Sequence, residues 1–283
     1  MAKLTDLLVV SDLDGTLLQA GYGIPKNNIE AVERFVKKGG KFTVCTGRSK
    51  ESVRRYIDWL PLTAPAILNN GALIYDYKKE KVLFSDFLDR RATELVRQIA
   101  ELFPDLGIEF HNAEGITTAR QSEQSHYHTS IEHIPYTLTD IEHIKGDWNK
   151  VLFAAPEERI KQLEKHVEKR ARADELYSLF DFVRSTDIYF EVVPKGTNKG
   201  TGLKALAKLL KIDMKNTVAI GDYYNDLEML KVAGYRAVVA DAPADIRALA
   251  DVTVSGCLQG GVGELLDSLE SLCDGFEQLK LEL

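Results

Sequence analysis

The sequence has few cysteines, and their positions exclude the arrangements in which cysteine usually has a structural role. Only three occur in 283 residues, namely Cys45, Cys257 and Cys273. An odd number of widely separated thiols matches neither a disulfide framework nor a zinc-binding spacing. We therefore expect buried or incidental thiols.

An excess of basic charge and a long apolar run are also missing. Lysine and arginine number 36 against 43 aspartates and glutamates, a formal net charge of -7, which argues against a broad nucleic-acid surface. No apolar run has the length of a membrane span, and acidic residues interrupt the N-terminus too early for a signal peptide. The sequence thus predicts a cytoplasmic protein that binds neither nucleic acid nor membrane. It leaves the oligomeric state open, and a monomer is compatible with it.

Short apolar runs alternate with amphipathic segments of helical period at both ends of the chain. The apolar runs predict strands over residues 7–10, 41–45, 66–68, 217–222 and 235–241. The amphipathic segments predict helices over residues 27–38 and 49–59, from about 225, after Pro243, and from about 262. This alternation is typical of an α/β protein, and it predicts a Rossmann-like parallel sheet with helices on both faces.

The middle of the chain has a different pattern. Residues 83–188 contain two long helical patterns, at 91–103 and 156–172, and strands with looser alternation. These strands are predicted at 107–111, 115–119, 150–156 and, across the boundary, 187–193. We interpret residues 83–188 as an inserted α/β cap domain, and residues 1–82 and 189–283 as the core that it interrupts.

Three predicted core strands run directly into small, hydroxyl or acidic residues, in the segments VVSDLDGT, FTVCTGRS and VAIGDYYND. Ligands of an open parallel sheet bind beyond the carboxyl ends of its strands. We therefore expect one group of side chains there, formed by Asp12, Asp14, Thr46, Asp222 and Asp226. Clustered carboxylates repel one another, and a divalent cation relieves this repulsion. A ligand set that consists only of oxygen atoms favours Mg²⁺ over zinc.

Asp12 and Asp14 are two residues apart, so in an extended chain they face the same side and can address one substrate. One carboxylate can attack phosphorus while its neighbour holds a proton for the leaving oxygen. Gly15 permits a sharp turn of the backbone after the strand, and the Thr16 hydroxyl can add a contact in the site.

Four segments in order, DLDGTL, TGR, the lysine of PKGTNKG, and GDYYND, resemble the motifs of the haloacid dehalogenase superfamily of phosphohydrolases. The insertion, NNGALIYD at residues 69–76 and EVVPKGTNKG resemble the Cof-like sugar-phosphatase branch, which has a large α/β cap. The resemblance covers essentially the whole chain. It implies a Mg²⁺-dependent hydrolase of small phosphate monoesters, above all sugar phosphates, that forms an aspartyl-phosphate. Substrate choice is then expected to reside in the cap.

The resemblance also implies catalytic roles. Asp12 is expected to be the nucleophile and Asp14 the general acid and base. Thr46 is expected to donate a hydrogen bond to the phosphoryl group, and Lys199 to offset negative charge. Lys195 competes for this last role, but Lys199 stands at a predicted helix start and fits the family spacing.

The magnesium ligands implied by the resemblance are Asp12, Asp222 and the backbone carbonyl of Asp14. Asp226 is expected in or just beyond this set.

A further group of residues is expected to contact substrate or phosphate, namely Gly15, Gly47, Arg48, Asn70 and Asn225. Three of them have an alternative. Arg48 is equally compatible with a surface ion pair, Asn70 with an ordinary Asn-Gly turn, and Asn225 with a helix cap.

Some residues depart from the pattern of the family. Tyr223 and Tyr224 replace small or polar residues, so they either pack, narrow the mouth of the site or supply a stacking face. Asp241 stands where the branch often has asparagine, which adds a negative charge.

The histidines are confined to the predicted cap, at positions 111, 126, 128, 133, 143 and 166. A strand over HYH could place His126 and His128 on one face for a metal, but no third ligand has a suitable spacing. We therefore expect solvated or hydrogen-bonded histidines.

Two other functions share these motifs. A phosphomutase would need a cap that holds a bisphosphate, but no extra basic cluster indicates one. A phosphate-ester sensor would be expected to have lost a catalytic group, and here all are present.

Overall fold

A computed structural model of the chain describes residues 3–131 and 134–281, so the histidine at position 133 lies outside the described residues. The strands in chain order are β1 (Leu8–Ser11), β2 (Lys41–Val44), β3 (Ala66–Leu68), β4 (Leu73–Asp76), β5 (Lys81–Ser85), β6 (Gly107–His111), β7 (Ile116–Arg120), β8 (Tyr136–Leu138), β9 (Lys150–Ala154), β10 (Phe180–Arg184), β11 (Tyr189–Pro194), β12 (Thr217–Gly221), β13 (Tyr235–Val239) and β14 (Val252–Val254). The α-helices are α1 (Lys26–Lys37), α2 (Lys50–Ile57), α3 (Ala92–Leu102), α4 (Glu123–Ile131), α5 (Glu157–Ala171), α6 (Glu175–Ser178), α7 (Lys199–Leu210), α8 (Leu227–Val232), α9 (Ala244–Arg247) and α10 (Gly261–Leu281).

Contacts within the chain divide it into two compact units. Unit 1 comprises the described residues up to Thr46, Arg55–Leu83, and those from Asn198 onward. Unit 2 comprises Gly47–Arg54 and Phe84–Thr197. The predicted domain boundaries, at residues 82/83 and 188/189, stay a prediction.

The main sheet of unit 1 has the strand order β14-β13-β12-β1-β2, and every neighbouring pair is parallel. Strand β1 lies between β12 and β2, and its Val9 pairs with Val218 of β12 and with Phe42 of β2. Both faces of β1 are buried, as an unbroken apolar run predicts for a covered parallel strand. The predicted α/β class with a parallel sheet is therefore confirmed.

Helices cover this sheet. Leu203 and Leu206 of α7 and Met229 of α8 form one apolar cluster with Leu8 and Val10 of β1. α1 and α10 pack on each other, α1 also contacts β2, and α10 contacts β13 and β14. The predicted strand over 66–68 is present as β3, but it belongs to a separate small sheet with the order β3-β4-β5.

Unit 2 is built on a mixed sheet with the order β10-β11-β9-β6-β7-β8, in which only the pairing of β7 with β8 is parallel among the described pairs. One face carries apolar residues of β6 and β9, among them Phe110 and Phe153, which cluster with residues of α3 and α5. The other face carries four buried polar residues, namely Glu109, His111, Lys150 and Glu191.

The strand considered for HYH is wrong, because these residues lie on helix α4. Residues two apart on a helix point about 200° from one another, so His126 and His128 do not share a face. The helix pattern is hard to see in the sequence because α4 buries the polar residues Ser125 and Thr129 rather than an apolar stripe. Among the described residues, no helix combines the length and apolar character needed to cross a membrane.

Candidate active site

Two neighbouring parallel strands bring the predicted acids of unit 1 together. Asp12 directly follows β1, and Asp222 directly follows β12. The register pairs Ser11 with Ile220, and the Asp12 amide donates a hydrogen bond to the Ile220 carbonyl at 2.8 Å. Carboxylate oxygens of Asp12, Asp222 and Asp226 all lie within 4.8 Å of one another, and we call these three residues the acidic cluster.

Lys199 inserts its ammonium group into the acidic cluster. Its Nζ atom lies 2.5 Å from Asp12 Oδ1 and 2.6 Å from Asp226 Oδ1, and its side chain is fully buried. The residue opens α7, as predicted, after Asn198 caps the helix by accepting the Thr201 amide at 3.0 Å. A helix start thus fixes where this buried cation lies.

Lys195, the competing candidate, lies elsewhere. Its Nζ pairs with Asp181 Oδ1 at 2.7 Å in unit 2, and 60% of its side chain is exposed.

Asp226 is held by protein donors on both oxygens. Oδ1 accepts from Lys199, while Oδ2 accepts the backbone amides of Asp222 at 3.0 Å and Tyr223 at 3.3 Å. The residue ends a 3₁₀ turn, Tyr224–Asp226, where the sequence predicts a helix start, and α8 follows at Leu227. Asp226 therefore fixes the backbone on which Asp222 stands.

Burial and mutual repulsion raise the pKa values of two acids, Asp12 and Asp222. Burial, followed by the charge of Asp226, raises the pKa of Asp12 well above its usual range. The same two causes raise the pKa of Asp222 to about 6. Burial alone would lower the pKa of Lys199, but the charges of Asp12 and Asp226 outweigh it and raise that pKa above its usual value. One ammonium thus leaves the three carboxylates incompletely compensated.

The turn after β1 closes on Asp222. Gly15 has φ +81°, in the left-handed region, and a Cβ there would lie 2.4 Å from Asp222 Oδ2. The Thr16 hydroxyl donates to Asp222 Oδ1 at 3.2 Å. A glycine is required at position 15 both by its backbone conformation and by the carboxylate beside it. The predicted hydroxyl contact of Thr16 is made to this acid.

Thr46 and Asn70 lie in adjoining loops of unit 1. The Thr46 amide donates to the Ile67 carbonyl at 2.9 Å, and the Asn70 amide donates to the Thr46 carbonyl at 3.0 Å. Both residues are buried. The predicted Asn-Gly turn is a 3₁₀ turn, Asn69–Gly71, in which Asn70 has φ +55°. Its backbone therefore supports the loop that carries Thr46.

The structure places the other predicted contacts as follows. Asp14 is exposed, and Asn225 is half-buried in the 3₁₀ turn before α8. Gly47 and Arg48 belong to unit 2, where Arg48 Nη1 donates to Ser52 Oγ at 2.7 Å. Arg48, which precedes α2, thus bonds a side chain in the first turn of that helix.

The residues that depart from the family pattern are engaged locally. Tyr223 and Tyr224 are about half exposed and pack edge to face, with ring centroids 5.0 Å apart. The Tyr224 hydroxyl donates to Asp245 Oδ1 at 3.3 Å. Asp241 accepts the Cys257 amide at 3.1 Å.

The cysteines are free thiols, as expected, with Cys45 and Cys257 buried. Burial, followed by the charges of Asp222 and Asp241, raises the pKa of Cys257 to about 12, which keeps this thiol protonated.

Sequence reasoning missed the partner of two histidines of unit 2. His111 Nε2 lies 3.0 Å, and His128 Nδ1 lies 2.8 Å, from the same oxygen of buried Glu109. Burial would raise the pKa of Glu109, but the charge of His128 and the two hydrogen bonds outweigh it and lower the pKa to about 2. A glutamate inside the apolar strand GIEFH was the signal available in the sequence.

The acidic cluster fits a magnesium ion. Its donors are carboxylate oxygens, the ligands that Mg²⁺ prefers. Burial and the charge of Asp226 raise the pKa values of Asp12 and Asp222, and a divalent cation at this position would favour their ionised forms.

Comparison with known proteins agrees with this arrangement. The family model described as haloacid dehalogenase-like hydrolase matches residues 9–266. An HMP-PP phosphatase of Serratia proteamaculans is 28% identical over 86% of this chain and 86% of its own length. The pyridoxal phosphate phosphatase YbhA of Escherichia coli is 26% identical over 94% of this chain and 99% of its own. The solved structure of a subclass IIB sugar phosphatase aligns with a TM-score of 0.79 at 21% identity, covering 93% and 99% of the two chains.

The family match over residues 9–266 thus agrees with the fold and with the acids at the strand ends. The chain belongs to the haloacid dehalogenase-like hydrolases, and the resemblance read from its motifs is confirmed. The predicted type of enzyme, a phosphoric monoester hydrolase, is confirmed, because the family is one of hydrolases and both named relatives are phosphatases.

Proposed function

We propose that this protein is a Mg²⁺-dependent phosphatase that hydrolyses small phosphate monoesters, above all sugar phosphates, through an aspartyl-phosphate. The observation that carries this proposal is the acidic cluster with Lys199 inserted into it, at the ends of two adjacent parallel strands. The two phosphatases named above support the reaction, and the sugar phosphatase among the structural neighbours makes sugar phosphates the first substrates to test.

Asp12 is the nucleophile in this proposal. Lys199 holds Oδ1 and thereby orients the carboxylate, and the second oxygen attacks phosphorus. A bond from that oxygen to phosphorus forms as the ester bond breaks, and the electron pair of the broken bond goes to the leaving oxygen. Asp14 gives this oxygen a proton, then takes one from the water that hydrolyses the intermediate. Its exposure in the turn after β1 leaves it open to solvent for this exchange.

The remaining residues position and neutralise the phosphoryl group. Thr46 donates a hydrogen bond from its hydroxyl, and Lys199 supplies positive charge from a buried position. The transition state carries negative charge on its equatorial oxygens, so fixed donors in a dry site stabilise it more than water does.

The magnesium ligands are Asp12, Asp222 and the backbone carbonyl of Asp14. Asp226 is proposed in or just beyond this set, and by accepting the Asp222 and Tyr223 amides it orients the backbone of Asp222. When bound, the ion supplies positive charge that offsets carboxylate repulsion and polarises the phosphoryl group.

The proposed substrate contacts are Gly15, Gly47, Arg48, Asn70 and Asn225. The predicted cap, residues 83–188, is proposed to select the leaving group, and a cytoplasmic location completes the proposal.

The test is phosphate release from a panel of sugar phosphates, nucleotides and cofactor phosphates, with and without Mg²⁺, by the wild type and Asp12→Asn. The near-isosteric substitution is expected to lower kcat by more than about 10³-fold while the fold is kept. Asp140→Asn, an exposed aspartate paired only loosely with His143, is the matched control and is expected to keep full activity.

Three outcomes contradict the proposal. Full turnover by Asp12→Asn excludes the covalent mechanism. Isomerised product in place of free phosphate, on addition of a sugar bisphosphate, indicates a mutase. Binding of phosphate esters without turnover by the wild type indicates a sensor.

A further inference from the structure

One residue that departs from the family pattern has no role in the mechanism above. Asp241 lies shortly after β13 in unit 1, and it is exposed. Its Oδ2 atom accepts the Cys257 amide at 3.1 Å, and a Cβ on Gly256 would lie 2.2 Å from the same oxygen. Within the described part of the chain, no donor contacts Oδ1. The backbone therefore holds one oxygen of this carboxylate and leaves the other without a protein donor.

Asp241 belongs to the same edge of the unit 1 sheet as the acidic cluster. Strands β12 and β13 are parallel neighbours, so both end at this edge, one before Asp222 and the other before Asp241. The loops after the two strands are in contact, because the Tyr224 hydroxyl donates to Asp245 Oδ1 at 3.3 Å. Burial, followed by the charges of Asp222 and Asp241, raises the pKa of the Cys257 thiol, so both carboxylates act on one group.

The protein does not pair Asp241 with a positive charge. Among the residues that the structure describes, no cationic nitrogen lies within 4.0 Å of its carboxylate. Arg247, at the end of α9, donates instead to the two backbone carbonyls that flank Asp241. The ammonium group of Lys199 is shared between two members of the acidic cluster. An ester that binds at this edge therefore meets a carboxylate that repels negative charge and attracts positive charge.

We propose that Asp241 selects phosphate esters whose alcohol carries a protonated amine, through an ion pair between that ammonium group and Asp241 Oδ1. This inference rests on the function proposed above and narrows its substrate class. Asp12 follows β1, which is two strands from β13, so about 10 Å separates the two strand ends. A phosphorylated amino sugar is long enough to place its phosphoryl group at Asp12 and its amine at Asp241.

Asparagine, which the branch often has at this position, would have the same shape as aspartate. Its side-chain oxygen could accept the Cys257 amide as well, so the bond that holds the loop does not require an acid. Charge is therefore the property that distinguishes Asp241, and Asp241→Asn removes it alone.

The test compares kcat/KM within two pairs of esters in which an ammonium group replaces a hydroxyl. The pairs are glucosamine 6-phosphate with glucose 6-phosphate, and pyridoxamine phosphate with pyridoxine phosphate. At neutral pH and low salt, with Mg²⁺, the wild type is expected to favour the amine in at least one pair by about 5-fold, the factor of an exposed ion pair. In Asp241→Asn this ratio is expected to fall to about one, and high salt is expected to lower it in the wild type.

The matched control is Asp213→Asn. Asp213 is also an exposed acid of unit 1 that accepts a backbone amide, that of Lys215 at 3.1 Å. It precedes β12, however, and so lies at the opposite edge of the sheet. This variant is expected to keep the wild-type ratio.

Several results would overturn the inference. They are equal kcat/KM within both pairs, an undiminished preference in Asp241→Asn, and an equal loss of the preference in Asp213→Asn. If Asp241→Asn does not fold, Asp241→Ser replaces it, since a hydroxyl also accepts an amide and carries no charge. A wild-type ratio in folded Asp241→Ser would then contradict the inference. If the wild type releases no phosphate from any ester, the proposed function fails, and calorimetric binding of the same pairs to wild type and variant still tests the selection.

Discussion

Buried charge in this protein is concentrated on a few side chains, each satisfied by specific partners. Asp12, Asp226 and Lys199 form one group in unit 1, and Lys150 and Glu191 form another in unit 2. Removing a single partner from such a group leaves an uncompensated charge in a medium that solvates it poorly. Substitutions at these positions therefore test function most cleanly when they keep the volume and change only charge or donors.

The role of Asp14 predicts a dependence on the leaving group. Asp14→Asn cannot give a proton to the leaving oxygen, so its kcat for a sugar phosphate is expected to fall by about 10²- to 10⁴-fold. The loss is expected to be smaller for nitrophenyl phosphate, whose leaving group needs no proton. Steady-state kinetics on the two esters measures the difference, and equal losses would exclude the acid role.

The contact between Gly15 and Asp222 predicts a loss of activity that can be separated from backbone strain. In Gly15→Ala, the new methyl group must displace Asp222 Oδ2, so magnesium affinity and kcat/KM are expected to fall about 10-fold or more. Gly21→Ala is the matched control, because Gly21 has φ +79° but nothing within 4 Å of a Cβ. Backbone strain is expected to lower the free energy of unfolding of both variants by about 1 kcal/mol, whereas only Gly15→Ala is expected to lose activity. Equal activity of the two would show that the contact with Asp222 is unimportant.

At the scale of elements, β6 and α4 meet through polar side chains instead of an apolar stripe. His128 of α4 and His111 of β6 both bond Glu109, and the two imidazole rings stack with centroids 5.9 Å apart. Burial, then the charge of Lys150, lowers the pKa of His111 from 6.5 to about 4. The folded protein therefore holds this histidine neutral where the unfolded chain would bind a proton.

This difference predicts acid destabilisation of unit 2. The stability that neutral His111 contributes is present above pH 6.5 and is lost as pH falls toward about 4, by up to about 1.4 kcal/mol per pH unit. The ionised Glu109 adds stability above pH 4.5 that is lost as pH falls toward about 2. Denaturant unfolding can be followed by fluorescence of Trp148, which contacts Phe110 of the same unit, in a Trp59→Phe background.

His111→Gln is expected to flatten this pH dependence. His143→Gln, which removes an exposed histidine, is the control and is expected to leave it unchanged. An equally steep decline in His111→Gln would assign the effect to other groups.

For the whole molecule, the proposed magnesium site predicts that metal binding stabilises the folded chain. An ion that binds only the folded chain stabilises it by about 2.7 kcal/mol at a free concentration about 100 times Kd. Mg²⁺ is therefore expected to raise the Tm of the wild type and a chelator to reverse the change. Asp222→Asn is expected to abolish the shift, while Asp140→Asn should retain it. A shift of the same size in Asp222→Asn would place the ion elsewhere.

Much of the core could be predicted from local patterns. Apolar runs predict the bounds of β1, β2, β12 and β13 to within two residues, because burial on both faces of a sheet requires consecutive apolar residues. Polar residues at the ends of these runs predict where Asp12, Thr46 and Asp222 lie, since parallel strands end at one edge. Helix α4 could not be predicted, because the side chains that it buries are polar and its sequence therefore has no apolar stripe.

The sequence by itself determined the class of fold, the acids at the strand ends and the family. Only the tertiary structure decided that three donors occupy both oxygens of Asp226, that Glu109 joins two histidines, and that Lys150 holds the carbonyl of Gly47. The physical reason is range. Periodicity reflects the exposure of neighbouring residues, whereas Lys150 and Gly47 are 103 residues apart, and Lys199 and Asp12 are 187 apart. Such contacts depend on sheet order and register, which no local pattern encodes.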